Sequence, residues 1–247
     1  MLMSAQSRPL ANLPPATWAG HAIGRPLVFL HIPKTAGTAV ASILTQWFRP
    51  GELKPWDLGL VRRATHPTEA IATRGYRLFG IGMHYDHDHV ASIRHALSGI
   101  NVRPFVVTVL REPRSRLISQ YLHWKRTDDA SLSGGGGAAR EAYLAARNAP
   151  LGEFLRTAHP LIDEHFRNYQ TRLLAGLAST RLATDEHVLA TAHFNAAGYD
   201  LVGTSTQVDE LLQLVAEAYG FLPPGPVNAM TVAPTRPPQQ FDDATEA

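Results

Sequence analysis

VFLHIPKTAGTAV, residues Val28 to Val40, runs from an apolar strand through a tight loop bearing one lysine into Gly-Thr at the head of an amphipathic helix. That order gathers bare backbone N–H groups, a helix N-terminus and an ammonium group at a strand's carboxyl end. Such a spot binds phosphate-like anions. The order is not that of the Walker loop, G-x-x-x-x-G-K-S/T, in which the lysine follows the glycines. Here Lys34 comes before Gly37-Thr38.

A second stretch, FVVTVLREPRSRLISQYLHW from Phe105 to Trp124, has the same logic. Phe105–Leu110 is a run with three β-branched valines and a threonine and reads as a buried parallel strand. Pro113 suits the first turn of the helix that follows. Leu117, Tyr121 and Trp124 then recur at helical spacing, with Ile118 and Leu122 beside them. Arg111 sits where the strand ends, and Ser119 lies about two helical turns further on. The plain structural alternative is that Arg111 pairs with Glu112 or a helix carboxylate while Ser119 is merely solvated.

HIPKTAGT resembles the 5'-phosphosulfate loop of the PAPS-dependent sulfotransferases, especially the branch of the heparan-sulfate 2-O-sulfotransferases and their bacterial relatives. In that family an Arg and a Ser with the separation of Arg111 and Ser119 hold the 3'-phosphate of PAPS. HFRNYQTRLLAG (165–176) and DLVGTSTQVDELLQLVAEAYG (200–220) resemble further segments of the same relatives, so the resemblance spans roughly residues 26–236. PVNAMTVAPTRPP resembles a late loop that folds over the nucleotide end of the cofactor, which puts Thr231 and Arg236 among the candidate ligands; an ordinary solvated coil is the alternative. The resemblance implies PAPS as sulfuryl donor and a carbohydrate or other small hydroxylated molecule as acceptor, with no metal. It assigns cofactor contacts to Pro33, Lys34, Thr35, Ala36, Gly37, Thr38 and Ala39, to Arg111 and Ser119, and to Thr231 and Arg236. Lys34 would neutralise charge on the departing phosphate, as a compact cation does in phosphoryl transfer.

A base is sought in GIGMHYDHDHV, residues 80–90. An imidazole titrates near neutrality and can accept a hydroxyl proton. His84 lies nearest the end of the predicted strand and leads; His87 is second, and His89 is the third candidate. Relatives carry a Gly-His pair here, whereas this chain has Gly82-Met83-His84, a departure of one residue. The His and Asp residues also suit zinc or manganese, although adjacent side chains on a regular element point apart and all five cannot converge. A helix entry capped by Asp86 or Asp88 is the third reading. His31, inside the first strand, reads as a packing residue.

Strand–loop–helix units predict an α/β fold: a P-loop-like, open, mainly parallel sheet flanked by helices, with a largely helical C-terminal half. Strands are expected at about 27–32, 76–81, 105–110 and 200–204. Helices are expected at about 38–48 and 88–98, the latter stopped by Gly99, then from Pro113, at about 184–196, and from Val208 to a stop at Gly220. Ile162, Phe166, Tyr169 and Leu173 are expected to share one helical face. Residues 1–25 read as an N-terminal arm, 26–236 as a single domain and 237–247 as a tail. Four consecutive glycines place a mobile surface loop at 127–140.

With 247 residues, 45% hydrophobic and 18% charged, the chain has an ordinary globular composition. A net charge of +2 makes no case for nucleic acid or membrane binding, although the pI is near 9.0. Cysteine is absent, which excludes disulfides and thiolate metal sites. MLMSAQSRPLANLPPATWAG lacks a basic start and an apolar core, and no stretch approaches the ~20 apolar residues of a membrane span. A soluble, cytoplasmic, bacterial-type enzyme is the expectation, with its oligomeric state unspecified. The alternatives are a P-loop kinase-like phosphotransferase using ATP and Mg²⁺, disfavoured because Leu110-Arg111 stands where a Walker-B aspartate belongs, and a non-catalytic PAP or nucleotide binder.

Overall fold

A computed structural model describes residues 20, 22–52, 76–80, 86–128, 137–178 and 183–224. They group into two compact units. The sheet unit comprises the described residues up to Arg111 and those from Gln170 onward. The helical unit comprises residues 112–169.

The sheet unit opens with β1 (Leu27–Leu30), α1 (Gly37–Trp47) and a 3-10 turn at Pro50–Glu52. β2 (Leu78–Phe79), α2 (His87–Ser98) and β3 (Phe105–Leu110) follow. All four strands are parallel, in the order β2-β1-β3-β4, where β4 is Leu201–Thr204. Leu27 pairs with Phe105 and Leu30 with Thr108, and Val107 pairs with Leu201.

Alternate strand residues face opposite sides of a sheet. Leu27, Phe29, Phe105, Val107, Val109 and Leu201 form one core with Val40 and Leu44 of α1 and with Leu211, Leu212, Val215 and Tyr219. The last four belong to α9 (Val208–Tyr219), which follows β4. The intervening residues Val28, Leu30 and Val106 are equally buried, and α2 contacts β1. A right-handed crossover from β1 outward to β2 and another back past β1 to β3 put α1 and α2 on opposite faces.

Two glycines have specific duties here. Gly80 has φ 82°, and a Cβ on it would lie 2.0 Å from the carbonyl oxygen of Phe29. β2 is shorter than the predicted 76–81, and its carboxyl end falls just before the left-handed Gly80. Gly220 closes α9 with φ 70°, as expected of a C-terminal glycine. Gly99 follows α2 but is right-handed; the left-handed residue after that helix is Asn101.

The helical unit consists of α3 (Pro113–Lys125), α4 (Gly137–Asn148), α5 (Leu151–Arg156) and α6 (Pro160–Phe166). Tyr121, Trp124, Ala146, Phe154, Ile162 and Phe166 form its core. Edge-to-face contacts of Trp124 with Phe166 and of Phe154 with Phe166 knit it together. Two expectations need correction. The loop placed at 127–140 ends sooner, because Gly137 to Arg140 are already the first turn of α4, where a glycine is cheapest to tolerate. The single helical face drawn through Ile162, Phe166, Tyr169 and Leu173 is two helices. Asn168 has φ 47°, which breaks the run between α6 and α7 (Tyr169–Ala175). The chain leaves the sheet unit after Arg111 and re-enters it at Gln170. α8 (Asp185–Ala197) follows, capped by Thr184, whose side chain accepts from His187 N–H.

Candidate functional site

β1 and β3 are neighbours, but the strand that follows β1 in the chain, β2, lies on one side of the pair, and the strand that follows β3, β4, lies on the other. At such a switch point the two loops diverge and leave a crevice beyond the strands' carboxyl ends, which is where open α/β sheets bind ligands. The loop after β1 is His31–Ala36 and the residue after β3 is Arg111.

The loop is unusual in its backbone. Lys34 and Ala36 are left-handed, with φ of 70° and 72°. Such conformations are uncommon for residues other than glycine and gather at ligand-holding loops. Thr35 between them is fully buried, and its Oγ1 donates to Ile32 C=O at 2.8 Å, tying the turn down from inside. The Thr35 hydroxyl is thus spent on the loop itself. α1 starts at Gly37 with no side-chain cap and no acidic residue in its first turn. Within that turn the Ala39 and Val40 N–H groups already donate to Ala36 C=O. An uncapped helix end of this kind presents partial positive charge to whatever lies beyond it.

Gly37 itself is right-handed and helical. Its lack of a side chain serves space: a Cβ there would lie 2.0 Å from His31 Cδ2 and 2.1 Å from Nε2. The His31 ring is buried and stacks on Phe29 at 5.5 Å. His31 thus packs inside as expected, although it lies in the loop after β1 rather than within the strand.

Arg111 joins the two sides of the crevice. Its Nη1 donates to Lys34 C=O at 3.3 Å. Below it, Thr108 Oγ1 donates to Leu30 C=O at 2.9 Å, a buried tie between the same two strands. No carboxylate among the described residues pairs with Arg111. The alternative of a pair with Glu112 is removed, because that carboxylate caps α3, accepting from the N–H groups of Arg114 and Ser115. The side chain of Gln170 holds the Arg111 peptide from two sides: Arg111 N–H donates to Oε1, and Nε2 donates to Arg111 C=O, both at 2.8 Å.

The sheet unit thus brings together Pro33, Lys34, Thr35, Ala36, Gly37, Thr38, Ala39 and Arg111. Ser119 lies half-buried two turns into α3, in the helical unit. His84, Thr231 and Arg236 lie outside the described residues. Sequence reading missed Gln170, although the quoted HFRNYQTRLLAG segment contains it. An amide has no charge or period to mark it, and its partner is 59 positions away.

The four described members of the histidine and aspartate cluster, Asp86, His87, Asp88 and His89, each have partners within the fold. Asp86 is buried and caps α2, accepting from His89 N–H; its Oδ1 lies 2.5 Å from His89 Nδ1. Asp86 Oδ2 accepts from Leu177 N–H and Asp88 Oδ2 from Ala178 N–H. Gly176, with φ 97°, passes so close that a Cβ would meet Asp88 Oδ1 at 2.5 Å. His87 Nδ1 lies 2.9 Å from Tyr199 Oη. Burial, and then the Arg94 cation, push the His87 imidazole below its ordinary pKa. Burial alone would raise Asp86, but hydrogen bonds from His89 and Leu177 outweigh it and hold the carboxyl below the usual range. Among the described residues no group of His, Asp and Glu side chains is arranged to hold a metal. No described helix is long and apolar enough to cross a membrane.

No protein-family model matches the chain, and no curated protein matches it.

Proposed function

We propose that the chain is a PAPS-dependent sulfotransferase with a P-loop-like site, transferring a sulfuryl group to a hydroxyl on a carbohydrate or other small molecule. The observation that carries this reading is the bond from Arg111 Nη1 to Lys34 C=O. It sets a guanidinium that pairs with no carboxylate among the described residues beside an uncapped helix N-terminus and a doubly left-handed loop, at the switch point of a parallel sheet. Two anionic groups of one ligand could then be held at once. The loop and the first turn of α1 would take a 5'-phosphate through N–H groups of Thr35 to Thr38, and Arg111 would take a 3'-phosphate. A ligand bearing both is PAPS, whose sulfuryl group supplies the chemistry when it is bound.

Lys34 is assigned the charge that develops on the departing phosphate, an electrostatic task worth most in a water-poor site. Its left-handed backbone fixes where its side chain leaves the loop. His84 is assigned as the base, from its place after β2. Kinase chemistry has less support, since Arg111 stands where a metal-binding aspartate would follow β3.

Calorimetry with PAP and with 5'-AMP tests the reading. PAP should bind clearly tighter, because only it carries the 3'-phosphate. Incubation with PAPS and a panel of hydroxylated acceptors should yield a sulfated product. Equal binding of the two nucleotides, or tighter binding of ATP with Mg²⁺ and phosphorylation of an acceptor, would replace it with the kinase-like reading. Tight PAP binding with no product from any acceptor favours the non-catalytic binder.

A further inference from the structure

We infer that Gln170 is a positioning residue for nucleotide recognition, holding the Arg111 peptide so that its guanidinium stays at the loop; this rests on the function proposed above. The geometry is specific. A primary amide offers one acceptor and one donor at fixed separation, and here both are spent on the N–H and C=O of a single residue at 2.8 Å each. That pattern continues the β3 ladder by one residue, with a side chain standing in for a strand.

The need for it follows from position. Arg111 comes directly after the last residue of β3 and directly before Glu112, the cap of α3. The pairing of β3 with β1 is recorded only as far as Thr108, and that with β4 as far as Leu110. The peptide of Arg111 thus lies past the sheet ladder, and the Gln170 amide supplies both of its hydrogen bonds. The Arg111 side chain makes one long bond of its own, to Lys34 C=O at 3.3 Å. A guanidinium on an unheld peptide would sample more positions, and each costs affinity for a fixed phosphate.

Gln170 also fixes where α7 begins. It is the second residue of that helix, just after the left-handed Asn168, and it is the point at which the chain rejoins the sheet unit. The amide is half-buried, so its loss leaves two backbone groups with water as their replacement rather than an unsatisfied core.

The test compares wild type with Gln170→Met, close in length but unable to reproduce the two bonds, and Gln170→Glu, which can accept from Arg111 N–H but cannot donate to its C=O. Affinity for PAP and for 5'-AMP is measured by calorimetry, and folding is checked by circular dichroism. Both variants should lower PAP affinity roughly three- to tenfold, as expected for two neutral hydrogen bonds only partly transmitted to the ligand, with 5'-AMP binding unchanged. In an Arg111→Ala background, Gln170→Met should cost no further PAP affinity, since there is no guanidinium left to position. Amide hydrogen exchange at Arg111 should quicken in both variants. A PAP to 5'-AMP preference as large in the variants as in wild type overturns the inference while leaving the proposed function standing, as does an equal loss for both nucleotides or an additive loss in the double variant. Wild type showing no preference for PAP, with Arg111→Ala equally indifferent, overturns the function itself. Should Gln170→Met fail to fold, Gln170→Leu carries the same comparison, since it too removes both hydrogen bonds without adding charge.

Discussion

Gly37→Ala gives the sharpest test of the loop, because two effects predict opposite signs. By helix propensity alone the change should help: glycine in a helix interior costs about 1 kcal/mol relative to alanine, and less at a first residue. The structure predicts harm. The new methyl would sit 2.0 Å from His31 Cδ2 and 2.1 Å from Nε2, where ordinary carbon contacts lie at about 3.5–4.0 Å. The ring cannot swing away easily, since it is 7% exposed and lies nearly parallel to the fully buried Phe29, with an interplanar angle of 18°. Overpacking of this kind costs about 1–3 kcal/mol, so the clash outweighs the propensity gain by roughly 1–2 kcal/mol. For a chain of this size that is a fall in Tm of about 2–8 °C, read by far-UV circular dichroism. In a His31→Ala background the methyl has room, so Gly37→Ala should there be neutral or stabilising, and the double-mutant cycle should show coupling of about 1 kcal/mol or more. A Gly37→Ala protein that melts at or above the wild-type temperature would refute the packing of His31 beneath the helix start.

Arg111→Ala should weaken PAP roughly 10- to 100-fold, the loss of a charge-assisted bond, and leave 5'-AMP nearly unchanged; calorimetry that finds equal losses makes Arg111 structural. Lys34→Ala should lower turnover far more than PAP affinity, because its task lies in the transition state, and turnover kept within a few fold in a product assay would remove the assignment. His84→Ala should cut turnover by about 10²–10⁴-fold with PAPS binding intact and with wild-type activity persisting in EDTA; activity lost in EDTA and restored by zinc or manganese would instead make His84 a ligand. Stability should fall on acidification in two stages. The folded His87 has a lowered pKa, so the unfolded chain binds the extra proton first, and its contribution is present above about pH 6.5 and lost as pH drops through the folded value. Asp86 is also lowered, so its share is present above about pH 4 and lost below that. Tm measured from pH 8 to pH 4 should flatten near pH 6 in His87→Asn, and an unchanged slope there would show that His87 does not contribute.

What the residues announced in advance were features with a local cause. The apolar run of β3, Pro113 at the head of α3, the face of α9 and the left-handed stop at Gly220 each follow from side chains within one turn or one strand. Arg111 and the HIPKTAGT loop stood out as candidates because charge, glycine and a strand end coincide there, and the structure places them side by side. The features that were not legible depend on distant partners. β2 ends just before Gly80, which approaches Phe29, and the clamp on Arg111 comes from Gln170. Asp86 and Asp88 were readable as helix caps, but their bonds to the N–H groups of Leu177 and Ala178, some ninety positions away, were not. Within the loop, nothing in the sequence marked Lys34 and Ala36 as the left-handed residues.

The neck formed by Arg111 and Gln170 makes residues 112–169 a guest within a host. The host meets both ends of the guest at one paired amide, so the register of its strands does not depend on how long the guest is. In polymer terms the host bears only the entropy of closing a loop, which rises with the logarithm of length. Doubling the excursion would add only about 0.6 kcal/mol. Chains built on this plan can therefore lengthen, shorten or exchange the helical excursion while the paired ends of β1 and β3 stay as they are.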